Sequence, residues 1–247
     1  MADKVVQTAN GIDVDVTAHY DPTIPIAHWS RNFAKPIFGS EQRFRQSAIL
    51  AAIRRLLIEQ GCEKITVRRI AEASGVAIGT IYNLVGPRNE AITEAISEYS
   101  LFVGRMASPR PDDPNSIVRI IDCWLQSIRA TPELCRQVNL IHFSESRAIY
   151  NKFRERQFKG MYNFLRRQQK FGVITPDTDV QDLSEHLVLL SCTFYQEWAD
   201  RPFPLDQLHH KLRSSCTNLL ADKLAPKYKA VVSQWGKPAR SSSYANI

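Results

Sequence analysis

The sequence predicts an all-α chain in two parts: an N-terminal three-helix unit containing a helix-turn-helix, and a longer helical domain behind it. Three observations carry that expectation. Apolar residues recur at the helical period on both sides of residue 104. A short helix, a turn through glycine and a second short helix fit between residues 66 and 85. From Asn115 to Leu224 no period-two alternation competes with the helical pattern.

Residues 1–42 are expected to be a poorly ordered arm. Pro22, Pro25 and Pro36 interrupt them, and Asn10-Gly11 marks a turn. Ile12, Val14 and Val16 alternate with polar residues, as in a short strand. Trp29, Phe33, Ile37 and Phe38 offer apolar surface that can dock on the chain itself. An arm reaching DNA or a second subunit is the alternative. It is disfavoured because the segment holds five acidic and three basic residues, and DNA repels net negative charge.

Residues 43–103 are the unit on which the rest is organised. Ile49, Ala52, Ile53, Leu56 and Leu57 recur at i, i+3, i+4, i+7 and i+8, which gives an amphipathic helix ending at Gly61. The next helix spans Val67 to about Ser74. Thr66 is placed to cap it, because its hydroxyl can accept a bond from a free first-turn N–H. Ile65 and Ile70 stand at the spacing of a hydrophobic staple, and Arg69 replaces the acid or amide of a capping box. Gly75 closes the helix in the left-handed region. A second short helix covers roughly Ile78 to Leu84, and Ala77 gives it no side-chain cap. Gly86-Pro87 opens a fourth helix that runs to about Val103, since proline suits the first helical position.

Residues 104–225 form the helical domain. Ser108-Pro109-Arg110-Pro111-Asp112-Asp113-Pro114 is the loop leading into it. Helices are expected at 115–130, 133–145, 147–171, 179–199 and 205–224. Gly172 ends the long middle helix. Two apolar stripes stand out: Leu183, Leu187, Leu190, Phe194 and Trp198, then Leu205, Leu208, Leu212, Cys216 and Leu219. They pack either inside one subunit or against a second copy. The stretch 147–170 carries eight basic residues, read as a solvated basic face over a core face. The sharper alternative is a site for an anionic effector or for a second contact with DNA. Residues 226–247 are basic and rich in Ser, Gly and Pro, and are expected to be a flexible tail.

The composition excludes several function classes. No apolar run is long enough for a transmembrane helix, and no signal peptide is visible at the start. Five scattered cysteines suit a reducing cytosol, which makes a cytoplasmic location the expectation, and none has zinc-site spacing. Phosphate loops, nucleotide fingerprints and catalytic sets are missing, so an enzyme is not expected. A net charge of +7 suits a polyanionic partner, yet residues 43–103 hold only eight basic and six acidic residues. Charge alone therefore does not make the case for DNA; the motif does, because in such a unit the second helix enters the major groove.

Ile49-Leu50, Leu56-Leu57, Gly61, Thr66-Val67, Ile70-Ala71, Ala73, Gly75-Val76, Gly79-Thr80-Ile81-Tyr82 and Arg88 fall in one ungapped register. In these residues the chain resembles the N-terminal domain of the TetR family of transcriptional regulators, over about sixty residues. It departs at Ala77, where the family usually has Ser or Thr, and at Ile78, often polar. It departs also at Val85, usually Phe, and at Arg88-Asn89, usually Lys and an acid. The resemblance implies a ligand-responsive regulator, most simply a repressor, that binds double-stranded DNA as a homodimer on a palindromic operator. No cofactor is expected beyond a small-molecule effector of unknown identity.

On that reading Ile78, Gly79, Thr80, Tyr82 and Asn83 face the DNA. Asn83 matches the adenine edge, Ile78 a thymine methyl and Tyr82 a phosphate, and Gly79 lets the backbone approach. Thr66, Arg68 and Arg88 are candidate phosphate contacts that fix register without reading sequence. The resemblance also implies a dimer interface of Leu183, Leu187, Leu190, Phe194, Leu208, Leu212, Cys216 and Leu219. Trp124, Phe143, Phe164, Cys192, Tyr195 and Trp198 are candidate effector-pocket walls, though core packing explains each equally well. Two other readings stay open: a ligand-binding protein whose DNA domain has degenerated, and a non-specific binder driven by charge.

Overall fold

The computed structural model describes residues 21–26 and 41–235. The expected strand at residues 12–16, the apolar residues between Trp29 and Phe38, and the end of the basic tail lie outside these residues. The described chain is helical: α1 Glu41–Gln60, α2 Val67–Ser74, α3 Ile78–Val85, α4 Arg88–Met106, α5 Ser116–Ala130, α6 Pro132–Leu140, α7 Arg147–Lys170, α8 Val180–Asp200, α9 Leu205–Leu220 and α10 Lys229–Trp235. Single 3₁₀ turns stand at Cys62–Lys64, Ile141–Phe143 and Pro226–Tyr228. Among these residues the β pairing is one antiparallel bridge, Ile174 with Leu224.

Two compact units form, and they do not follow linear order. The first joins the described residues up to Val103 with 126–153, and the second joins 104–125 with the described residues from Arg154 onward. Residues 126–153, expected in the C-terminal domain, thus fold with the N-terminal unit.

The first unit packs α1 against α2, α3 and α6. Ile53 and Leu57 of α1, Ile65, Ile70, Ile81 and Ile92 are all fully buried. Each such side chain contributes roughly 1.5–3 kcal/mol relative to exposure. The staple is present, since both of its isoleucines lie in this core. Residues 133–145 were expected as one helix; α6 instead ends at Leu140 and tightens into the 3₁₀ turn. Tyr150 at the start of α7 is buried, and its hydroxyl donates to Asn139 Oδ1 at 3.1 Å.

Arg54 is the surprise of this core, with no exposed side-chain surface. Its Nε donates to Pro22 O at 2.6 Å and Nη2 to Ile24 O at 3.4 Å. Nη1 donates to Glu98 Oε2 at 2.7 Å and to Ala95 O at 3.2 Å. The guanidinium lies over the Tyr99 ring. Burial pulls its pKa below the ordinary arginine value, and Glu98 opposes that shift. Residues 21–26 are therefore strapped to the helical core, with Pro22 and Ile26 buried.

The second unit has its core on α5, α7, α8 and α9, with Ile121, Leu125, Leu165, Leu187, Leu208 and Leu212 buried. Asp179 caps α8, its Oδ1 accepting from Gln181 N at 2.9 Å and Asp182 N at 3.1 Å. Helix α9 stops at Leu220, short of the expected 224, because the following residues turn to pair with the loop after α7. Thr175 N donates to Lys223 O at 2.8 Å, and Ala225 N to Val173 O at 2.9 Å. The start of the expected flexible tail is ordered. Trp235 on α10 is buried, and its Nε1 donates to Asn115 Oδ1 at 2.8 Å.

Candidate nucleic-acid interface

Helices α2 and α3 are set by local chemistry that the sequence announces. Thr66 Oγ1 accepts from Arg69 N at 3.2 Å, which satisfies one free donor of α2. Thr66→Ala is expected to cost about 1 kcal/mol in urea unfolding. Gly75 ends α2 at φ 68, where a side chain is disfavoured. Ala77 leads α3 with no side-chain cap, as its residue type requires.

Ile81 and Val85 bury one side of α3. The other side is open: Ile78 is 47% and Tyr82 52% exposed. Gly79 and Asn83 are exposed beside them, and Thr80 is half-buried at the edge. Positions 78, 79, 82 and 83 share one face at helical spacing. A Cβ on Gly79 would meet nothing within 4 Å, so packing does not require glycine there. Two large, uncharged side chains thus stand in solvent on a short helix whose opposite side is core.

Of the expected phosphate contacts, Thr66 and Arg68 are exposed. Arg68 Nε meets Glu72 Oε1 at 3.0 Å across one helical turn, an ion pair open to solvent and easily exchanged. Arg88 must be corrected. Its Nε donates to Ile65 O and its Nη2 to Cys62 O, both at 2.6 Å, and Nη1 donates to Asn89 Oδ1 at 2.7 Å. A guanidinium bonded to the carbonyls before α2 clamps that turn and has few donors left for a phosphate. Beside it, Ser146 N donates to Glu63 Oε1 at 3.1 Å, and bonds from Ser144 and Ser146 hold the Glu63 carboxyl below the usual range. The sequence reading also missed two supports from α1. Gln46 Nε2 donates to Leu84 O at 3.0 Å and Arg55 Nη2 to Ala73 O at 2.8 Å, bracing the ends of α3 and α2. Partners 38 and 18 residues away leave no local signal.

Residues 49–83, which include this open face of α3, match the family model described as bacterial regulatory proteins, tetR family. The match covers the helix-turn-helix and leaves the rest of the chain outside it. No curated protein matches it. Solved structures show the same fold. Thermus thermophilus FadR, a TetR-family repressor in complex with lauroyl-CoA, is 16% identical with a TM-score of 0.54, over 82% of this chain and 100% of that one. The R. erythropolis repressor QsdR is 18% identical with a TM-score of 0.52, over 71% and 94%. Pseudomonas aeruginosa NalD, the secondary repressor of the MexAB-OprM multidrug efflux pump, is 18% identical with a TM-score of 0.50, over 76% and 99%.

The expected dimer stripe largely faces inward. Leu183, Leu187, Leu208, Leu212 and Cys216 are buried within the single subunit and have no surface left for a partner. Burial pushes the Cys216 thiol up to about 12. Leu190, Phe194 and Leu219 are half-buried. The larger apolar exposure on α8 is at Leu189, 47% open, one position off the expected stripe. Periodicity finds the apolar side of a helix but not what covers it.

The expected effector walls divide as well. Trp124 and Tyr195 have ring centroids 6.4 Å apart in the second unit, both half-buried, with Cys192 half-buried on α8. Phe164 and Trp198 are buried, and Trp198 Nε1 donates to Phe203 O at 3.0 Å. Phe143 belongs instead to the first unit and is 62% exposed. A separate polar crevice in the second unit is lined by Thr175, Asp177, Asp179, Asp182, His186 and Lys223, none of them expected. Among the described residues no helix is long and apolar enough to cross a membrane, and no group of three or more His, Cys, Asp or Glu side chains is placed to hold a metal ion.

Proposed function

We propose that this chain is a regulator of the TetR family, a ligand-responsive repressor that binds a palindromic operator as a homodimer. The observation that carries the proposal is the open face of α3, with Ile78, Tyr82 and Asn83 presented together and the opposite face fixed in the core. Asn83 suits the adenine edge and Ile78 a thymine methyl; one good bidentate contact discriminates by about 1–3 kcal/mol. Tyr82, Thr80, Thr66 and Arg68 serve the phosphates, and Gly79 admits the backbone. The second copy covers Leu189 and the half-exposed Leu190 and Phe194 of α8. Two α3 helices then meet successive major grooves about 34–36 Å apart.

The effector binds in the second unit, with Trp124, Tyr195 and Cys192 as its walls. The lauroyl-CoA held by Thermus thermophilus FadR makes acyl thioesters a first class to screen. Effector release follows from differential affinity: the ligand favours the state whose reading heads do not match the groove spacing. Selection from random duplex DNA tests the whole reading. Wild type is expected to enrich an inverted repeat, and Tyr82→Ala to lose it. A direct or single half-site would sink the symmetric dimer, and no enrichment would sink sequence-specific binding.

A further inference from the structure

The solvent face of α7 carries chemistry that the reading head does not use. Between Arg154 and Lys170 the sequence holds six basic residues and one acidic residue. At 3.6 residues per turn, Arg156, Lys159, Arg166, Arg167 and Lys170 fall within an arc of about 120°. All five are exposed. From first to last they span about 21 Å of helix. Among the described residues Lys159, Arg166, Arg167 and Lys170 meet no carboxylate, whereas Arg45, Arg68, Arg110 and Arg119 each do. Like charges one turn apart, such as Arg166 and Lys170, weaken a helix. Arg167 and Lys170 suit the negative end of the helix dipole, but Arg156 and Lys159 sit too far from it to gain.

Two neutral residues complete the face. Asn163 lies in the middle of the arc and Gly160 at its edge beside Arg156 and Arg167; both are exposed. A Cβ on Gly160 would meet nothing within 4 Å. A mid-helix glycine destabilises relative to alanine, and here no neighbour demands it. It bares the helix backbone between cations, as Gly79 does on α3. Arg166 is aimed rather than loose: its guanidinium stacks over the Tyr162 ring at 5.7 Å, and Nη1 donates to the Tyr162 hydroxyl at 3.1 Å.

We propose that this face of α7 is a second DNA-binding surface that grips the phosphate backbone without reading sequence. Charge complementarity selects the partner: a row of cations about 21 Å long follows a backbone of regularly spaced phosphates, and the bare Gly160 lets that backbone come close. The surface works apart from α3, so it holds whether or not the operator reading does.

The test uses the full-length protein and a short fluorescent duplex of random sequence. Anisotropy titrations across salt compare wild type, Tyr82→Ala, Gly160→Ala and a variant combining Lys159→Gln, Arg166→Gln, Arg167→Gln and Lys170→Gln. The combined variant is expected to bind about tenfold more weakly, with the slope of log affinity against log salt shallower by about three. Gly160→Ala is expected to raise Tm while weakening the same binding. Tyr82→Ala retains most of the random-duplex slope. A combined variant within twofold of wild type in affinity and slope overturns the proposal. So does a variant that keeps duplex binding but loses transfer RNA or anionic vesicles, which would reassign the face to another polyanion.

Discussion

Arg54→Met is expected to destabilise the N-terminal unit by about 3 kcal/mol, the lower end of what breaking a buried ion pair costs. The substitution keeps the aliphatic stem and removes the charge. It removes the Arg54 donor from the Pro22 carbonyl, takes the second bond from the helical Ala95 carbonyl and leaves Glu98 without its cation. Glu98 keeps 23% exposure, so water relieves part of its cost, which is why the lower end applies. Glu98→Gln should cost less, about 1 kcal/mol, because an amide oxygen still accepts from Nη1. Urea unfolding followed by far-ultraviolet dichroism checks both. A midpoint unchanged in Arg54→Met would mean that the strap at 21–26 contributes nothing to the unit.

Arg88→Ala is the second large effect, and it separates two readings of the same residue. A phosphate ligand would leave stability intact and make the salt slope of DNA binding shallower by about 0.9. The clamp seen at Ile65 and Cys62 requires the reverse. The variant is expected to lose about 2 kcal/mol of stability, since hydrogen bonds to a charged donor are worth about 1.5–3 kcal/mol each and part of the group stays wet. Its salt slope should be unchanged. Arg88→Lys recovers little, because one ammonium cannot serve two carbonyls in the fork geometry of a guanidinium. Unfolding and salt titration on the same preparation decide the matter.

What could be read in advance was what neighbours in sequence settle. The Thr66 cap, the Ile65–Ile70 staple and the Gly75 stop involve residues within a few positions of one another, and all are present. Long-range polar pairing was not legible. Arg54 had a signal, since it shares a helix face with Leu50, Ile53 and Leu57, but nothing in the sequence named its acceptors 30 to 44 residues away. Arg88 read as surface because its partners are main-chain carbonyls, which carry no sequence signature. Leu208 and Leu212 showed the same limit from the apolar side: their period gave the stripe, and only packing showed that the subunit covers it itself.

The interleaving of the two units governs how the chain is made. The N-terminal unit needs residues 126–153, which include Leu134, Ile141 and Tyr150, all buried in it. A ribosome adding roughly 5–20 residues per second delivers the stretch from 103 to 153 several seconds after the helix-turn-helix has emerged. During that interval α1 exposes apolar surface that α6 will later cover. The N-terminal unit is thus complete only once residue 153, well past the middle of the chain, has been synthesised, while Cys192 and Tyr195 of the second unit are still to come.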